Sequence, residues 1–138
     1  MNDRVFLDTN IVIYLYSEDE NYKRDIACNF VNSSNCITSI QAMNEASNVW
    51  LKKYKLDKYE IAKYLDELEA ICDDIVLIRR KTIDQALNIK DRYGYSFYDC
   101  LMLGAALEAN CGIILTEDMK SGQVINDTLK ILNPFERS

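Results

Sequence analysis

The 138-residue chain has no histidine, one proline and four glycines. Without histidine, Ser-His-Asp and Cys-His nucleophile schemes are excluded, as is any zinc site that uses imidazole. The cysteines Cys28, Cys36, Cys72, Cys100 and Cys111 are odd in number and form no C-x-x-C. That fits reduced thiols in a cytoplasmic protein better than a disulfide frame or a zinc site. No apolar run reaches the roughly 20 residues of a membrane span, and the N-terminus lacks the basic start of a signal peptide. No linker, repeat or low-complexity segment shows, so the expectation is a single domain over residues 1–138. Basic charge is also short: 16 Lys and Arg stand against 22 Asp and Glu, for a net charge of −6. A general nucleic-acid coat protein would be basic. An acidic chain can still bind a polyanion if metal ions neutralise its acidic site and basic residues cluster locally. Two such clusters exist, Lys52, Lys53, Lys55 and Lys58, then Arg79, Arg80 and Lys81. Either one alone reads most simply as a solvated face.

Apolar residues make up 49% and charged residues 28%, ordinary for a soluble globular protein. "RVFL" reads as a buried strand at 4–7, and a helix begins near Asn10. "YKRDIACNFVNS" reads as a second helix and "CIT", 36–38, as a short strand. Ser39 stands where an N-cap would precede a helix of about fifteen residues. Ile61, Tyr64, Leu65, Leu68, Ile71 and Cys72 recur at helical spacing. "IVLI" predicts a strand at 75–78, followed by a helix over 82–92. "SFYDCLMLGAALEAN" reads as a helix, "GIIL" as a strand and "KIL", 130–132, as a last short strand. Strands alternate with helices, which predicts an α/β fold with a small, mostly parallel sheet covered by helices on both faces.

Four acids stand out. Asp8 interrupts the apolar "FLDTNIVIYLY" and lies at the carboxyl end of the first strand. An ionised carboxylate at an apolar junction loses hydration and needs a partner. Asp8 or Thr9 could cap the following helix, or Asp8 could hold a cation. Asp118, in "LTED", follows "GIIL", so both acids should reach one edge of the sheet, where open α/β sheets bind ligands. Asp99 faces Met102, Leu103 and Ala106 on a helix that is apolar nearly all round, which predicts burial. Ser96 and Asp99 also fit the S-x-x-[DE] capping box, and capping and metal binding stand level for Asp99 taken alone. Glu45 sits mid-helix at the margin of the stripe Ile40, Met43, Ala46 and Trp50, a place where most glutamates are solvated. Acids at strand ends and helix starts, with no histidine, select hard cations such as Mg²⁺ or Mn²⁺ over zinc. Paired ions of this kind can clamp the two reacting oxygens of a phosphodiester.

The pieces "VFLDTNIVIYL", "TSIQAMNEASNV", "YSFYDCLMLGAALEANC", "ILTED" and "ILNPF" resemble, in order and spacing, a PIN domain of the kind found in VapBC toxin–antitoxin ribonucleases. The resemblance spans residues 4–135. It implies a small parallel sheet sandwiched by helices and an acidic site at Asp8, Glu45, Asp99 and Asp118. Asp8 and Asp99 would be the usual Mg²⁺ ligands, with Asp118 and Glu45 completing the set. Asn10 matches the polar residue after the first acid, and Thr116 the hydroxyl of the T-x-D motif. The resemblance further implies endoribonuclease activity against tRNA or other structured RNA, a homodimer and a cognate antitoxin lying in a groove near the site. Lys52, Lys53, Arg79 and Arg80 are candidate contacts to the RNA backbone.

Three other readings compete. A receiver-type signalling domain wants a pair of acids after the first strand, and only Asp8 is there. A haloacid-type phosphatase wants D-x-D, where this chain has Asp8-Thr9-Asn10. A catalytically silent PIN-fold binding module remains compatible, although the full acidic set argues against it.

Overall fold

Period-two alternation in the first strand sets the architecture. In β1 (Arg4–Leu7), Phe6 enters one hydrophobic core while Val5 and Leu7 enter another on the opposite face. The computed structural model describes residues 4–136. After β1 come α1 (Thr9–Leu15), α2 (Asn21–Ser33), β2 (Asn35–Ser39), α3 (Ile40–Lys52), α4 (Lys58–Ile71) and β3 (Asp74–Val76). The chain continues through α5 (Arg80–Tyr93), α6 (Phe97–Glu108), β4 (Ile113–Leu115), β5 (Val124–Ile125) and β6 (Leu129–Leu132).

The strands form one sheet in the order β3-β2-β1-β4-β6-β5. All pairings are parallel except the edge pair β5–β6. Helices α1 to α4 pack Ile11, Val12, Ala27, Trp50 and Leu68 against the face carrying Val5, Leu7 and Leu115. Helices α5 and α6 pack Ala86, Ile89, Leu103 and Ala106 against Phe6, Ile37, Ile114 and Ile131. The α/β class and the mostly parallel, helix-covered sheet match expectation. The α5–α6 packing is close: a Cβ at Gly104 would lie 3.4 Å from the Thr82 carbonyl oxygen.

Helix starts follow their capping chemistry. Asp57 accepts from the Tyr59 and Glu60 amides and Glu60 returns to the Asp57 amide, a full capping box for α4. Ser39 caps α3 by accepting from Ala42 N at 3.2 Å, as its position predicts. Three details differ from expectation. The strand expected at 75–78 runs Asp74–Val76, and α5 starts at Arg80 rather than 82. Leu77 and Ile78, though apolar, serve the connection to α5. The edge strand β5 has no counterpart in the sequence pattern. It is turned into β6 by Asn126 and Asp127, both with positive φ, a conformation these two side chains tolerate. Finally, Ile40 and Ile71 are exposed, and Ala42 takes the buried place on α3 that helical spacing assigns to Ile40.

Candidate active site

The chain runs outward from β1 to β2 and β3, then crosses back to β4 on the other side of β1. The crevice between β1 and β4 is therefore a topological switch point, the place where parallel sheets bind ligands beyond their carboxyl ends. Leu7 pairs with Leu115, so the next residues, Asp8 and Thr116, emerge side by side. The Asp8 amide holds the register by donating to the Leu115 carbonyl at 3.2 Å.

Asp8 is only 4% exposed. Its Oδ1 accepts from the Thr9 amide at 2.8 Å, which makes it the N-cap of α1. Its Oδ2 accepts from the Thr116 hydroxyl at 2.7 Å. Thr116 Oγ1 in turn accepts from the Asp118 amide at 3.1 Å, so one buried hydroxyl orients both acids. Asn10 Nδ2 donates to Asp118 Oδ2 at 3.1 Å, and Thr9 Oγ1 donates to Glu45 Oε2 at 3.1 Å. Thr9 and Asn10, the first two residues of α1, thereby tie Glu45 and Asp118 to the segment that follows Asp8.

Asp99 arrives on α6. Ser96 caps that helix by accepting from the Asp99 amide at 3.2 Å. The helix is buried from Cys100 to Ala106, but Asp99 itself is half-buried rather than enclosed as its apolar helix predicts. It stands in the first turn of α6, near enough for its charge to act on Asp8.

The electrostatics tie the four acids together. Desolvation pushes the Asp8 carboxyl up to about 6; the Thr116 and Thr9 hydrogen bonds offset part of this, and the charges of Asp118 and Asp99 add to it. Glu45 is raised by burial and by Asp99, against the hydrogen bonds from Thr9 and Gln41. Asp118 is raised by burial, then by Asp99 and Glu117, with Lys23 opposing. Asp99 thus acts on the other three by charge, through space. The donors are all oxygens, mutually repulsive and concentrated at one sheet edge, a set that suits a hard divalent cation. Among the described residues, no three acidic or cysteine side chains converge closely enough to enclose an ion as they stand. Burial raises the thiols of Cys36 to about 11 and of Cys72 and Cys111 to about 12, so these cysteines offer no thiolate at neutral pH.

The basic candidates separate. Arg79 lines a groove of about 520 Å³ with Ile40, Gln41, Asn44, Leu77 and Tyr98. That groove adjoins the acids, because Gln41 bonds Glu45 and reaches the Tyr98 carbonyl at 3.5 Å. Arg80 is paired instead with Asp84 at 3.0 Å on the exposed side of α5. Lys52 ends α3, about 10 Å along the helix axis from Glu45, and Lys53 lies over the Tyr54 ring.

Sequence reasoning misses three residues of this region. Thr9, legible only as a cap, bridges to Glu45. Gln41 braces Glu45 one helical turn away, an i, i+4 spacing that the sequence does display. Lys23, inside a helix with no motif, donates to Glu117 at 2.9 Å and to the Tyr14 hydroxyl at 3.2 Å, while Tyr14 donates to Glu117. No local signal points to Lys23.

A switch-point crevice with the acids Asp8 and Asp118 joined through Thr116 sets the class of this α/β protein. The sequence pattern of the PIN domain matches residues 5–124, and the chain belongs to that family. Solved structures share the fold. A toxin–antitoxin complex from Klebsiella pneumoniae superposes with TM-score 0.69 at 18% identity, covering 96% of this chain and 99% of that one. VapC20 of Mycobacterium tuberculosis, a sarcin–ricin-loop-cleaving toxin, gives 0.66 at 15% identity, over 83% and 91% of the two chains. VapBC2 of Rickettsia felis, solved with a promoter DNA fragment, gives 0.64 at 16% identity, over 94% and 99%. No curated protein sequence matches the chain. Among the described residues, no helix is long and apolar enough to cross a membrane.

Proposed function

We propose that this PIN-domain protein is a Mg²⁺- or Mn²⁺-dependent endoribonuclease, the VapC-like toxin of a toxin–antitoxin pair. The observation that carries the reading is the Asp8–Thr116–Asp118 link at the switch point, with Glu45 and Asp99 in electrostatic range. Asp8, Asp99, Asp118 and Glu45 would hold the ion. When bound, such an ion supplies positive charge that offsets charge building on phosphorus and lowers the pKa of water.

The chain's own residues do the rest. Thr116 fixes the Asp8 carboxylate, Asn10 turns Asp118 toward the crevice, and Thr9 with Gln41 holds Glu45 where it can orient an attacking water. Water, rather than the ribose 2′-OH, attacks phosphorus and the 3′-oxygen leaves with a proton, so the ends are 5′-phosphate and 3′-hydroxyl. Arg79 is the best placed of the basic candidates to meet the RNA backbone. tRNA or another structured RNA is the proposed substrate and the cytoplasm the proposed compartment. Neighbours that are toxin–antitoxin complexes support an antitoxin partner. A groove of about 300 Å³ whose lining includes Tyr16, Trp50 and Tyr64 together with Glu18, Asp19 and Glu60 suits a partner segment with apolar and basic residues. A homodimer is proposed from the resemblance alone.

Purified protein should cleave RNA when Mg²⁺ or Mn²⁺ is supplied and stop when a chelator is added, leaving 5′-phosphate ends. Chelator-resistant cleavage, or 2′,3′-cyclic phosphate ends, would refute the mechanism. One rival reading is a silent PIN-fold binding module. Single-turnover cleavage at saturating Mn²⁺ decides between them.

A further inference from the structure

Glu117 and Asp118 are adjacent acids in the segment after β4, and the fold treats them differently. Asp118 accepts from the neutral amide of Asn10. Glu117 accepts from Lys23 Nζ at 2.9 Å through Oε2 and from the Tyr14 hydroxyl through Oε1. Lys23 also donates to Tyr14 at 3.2 Å, and its ammonium lies 4.8 Å from the Tyr14 ring centroid and 5.4 Å from that of Phe135. The ion pair is largely covered, with side chains 29% and 20% exposed. These hydrogen bonds and two ring faces commit Lys23 to one geometry, where an ordinary surface pair would be loose. Glu117 directly follows Thr116, the residue that touches Asp8. Its carboxylate would compete for the site if nothing restrained it.

We propose that Lys23, together with Tyr14, is a positioning residue that holds Glu117 out of the divalent-cation site, so that the segment after β4 offers it Asp118 alone. This rests on the metal-dependent reading above. An extra carboxylate would strengthen cation binding, since affinity rises with ligand charge, while occupying a position that water or substrate needs. The two effects run in opposite directions, which a loosened fold would not produce.

The test compares wild type, Lys23→Met, Glu117→Gln and the double variant, by calorimetric Mn²⁺ binding without RNA and by RNA cleavage. Lys23→Met should bind Mn²⁺ about ten-fold more tightly and cleave about ten-fold more slowly, the scale on which outer-shell partners act. Adding Glu117→Gln should return both values toward wild type, because the intruding charge is gone. Lys23→Arg, which keeps the cation, should recover most of what Lys23→Met loses. Mn²⁺ binding and cleavage that fall together, or a defect that Glu117→Gln does not relieve, would show that Lys23 only braces α2 and would overturn the proposal. An active wild type with an unaffected Lys23→Met variant would overturn this role alone. A wild type that neither binds Mn²⁺ nor cleaves RNA would overturn the reading of the site and this role with it.

Discussion

Glu117 and Asp8 both adjoin Thr116, one by sequence and one by hydrogen bond, yet they live in opposite surroundings. Glu117 meets an ammonium and a phenol. Asp8 is nearly buried and meets neutral donors, the Thr116 hydroxyl and the Thr9 amide, with the carboxylates of Asp99 and Asp118 near enough to repel it. A structural carboxylate looks like Glu117: its charge is answered inside the fold. Asp8, at the carboxyl end of β1, has neutral donors and, among the described residues, no cationic partner in an ion pair. That contrast is expected of an acid whose cation comes from outside.

The largest expected effect would break the contrast outright. Asp8→Ala or Asp99→Ala should lower Mn²⁺-supported RNA cleavage by about 1000-fold or more, the loss of several kcal/mol of charge stabilisation. Rates within a few-fold of wild type would place the acids with Glu117, as structural groups.

A second measurement reads the burial of Asp8 through stability in chelator. Its pKa is raised from 3.8 to about 6, so the fold favours the neutral acid. The stability this group contributes is fully present below about pH 4 and is lost as pH rises through about 6. The full gap amounts to ~3 kcal/mol at neutral pH as an upper bound. Asp8→Asn keeps an N-capping side chain while removing the charge. Urea unfolding at pH 7 without metal should therefore find the variant more stable by up to ~3 kcal/mol, with a flatter pH dependence between about pH 4 and 6. An unchanged pH profile would mean that Asp8 is adequately solvated.

Thr116→Val sharpens the comparison from the neutral side. It removes the hydroxyl shared by Asp8 and the Asp118 amide while nearly preserving volume. Mn²⁺ affinity or cleavage should fall about ten-fold. The smallest effect lies far from the crevice. Asp57→Ala removes the α4 capping box and should cost ~1 kcal/mol in thermal or urea unfolding, with cleavage per folded molecule unchanged.

Much of the fold and site is legible locally. Ser39 and Ser96 announce their helices, and the apolar run of α6 announces its burial. Asp8 and Asp118 declare themselves as acids at strand ends. Other features are not legible because their signals are weak or nonlocal. Leu77 and Ile78 look like strand but lead into α5. β5 is two residues long, too short to show alternation. Glu45 looks like a surface residue until Thr9, 36 positions earlier, is found against it.

The sequence by itself determined the order of elements, the helix caps and the supply of oxygen donors, because each depends on residues a few positions apart. Tertiary structure alone decided that β4 lies beside β1, setting Thr116 against Asp8 across 108 positions, and that Lys23 reaches Glu117 across 94. Those pairings are consequences of how two hydrophobic faces close over one sheet. Burial is non-directional and sums over the whole core, so no short stretch encodes which distant partner it brings near.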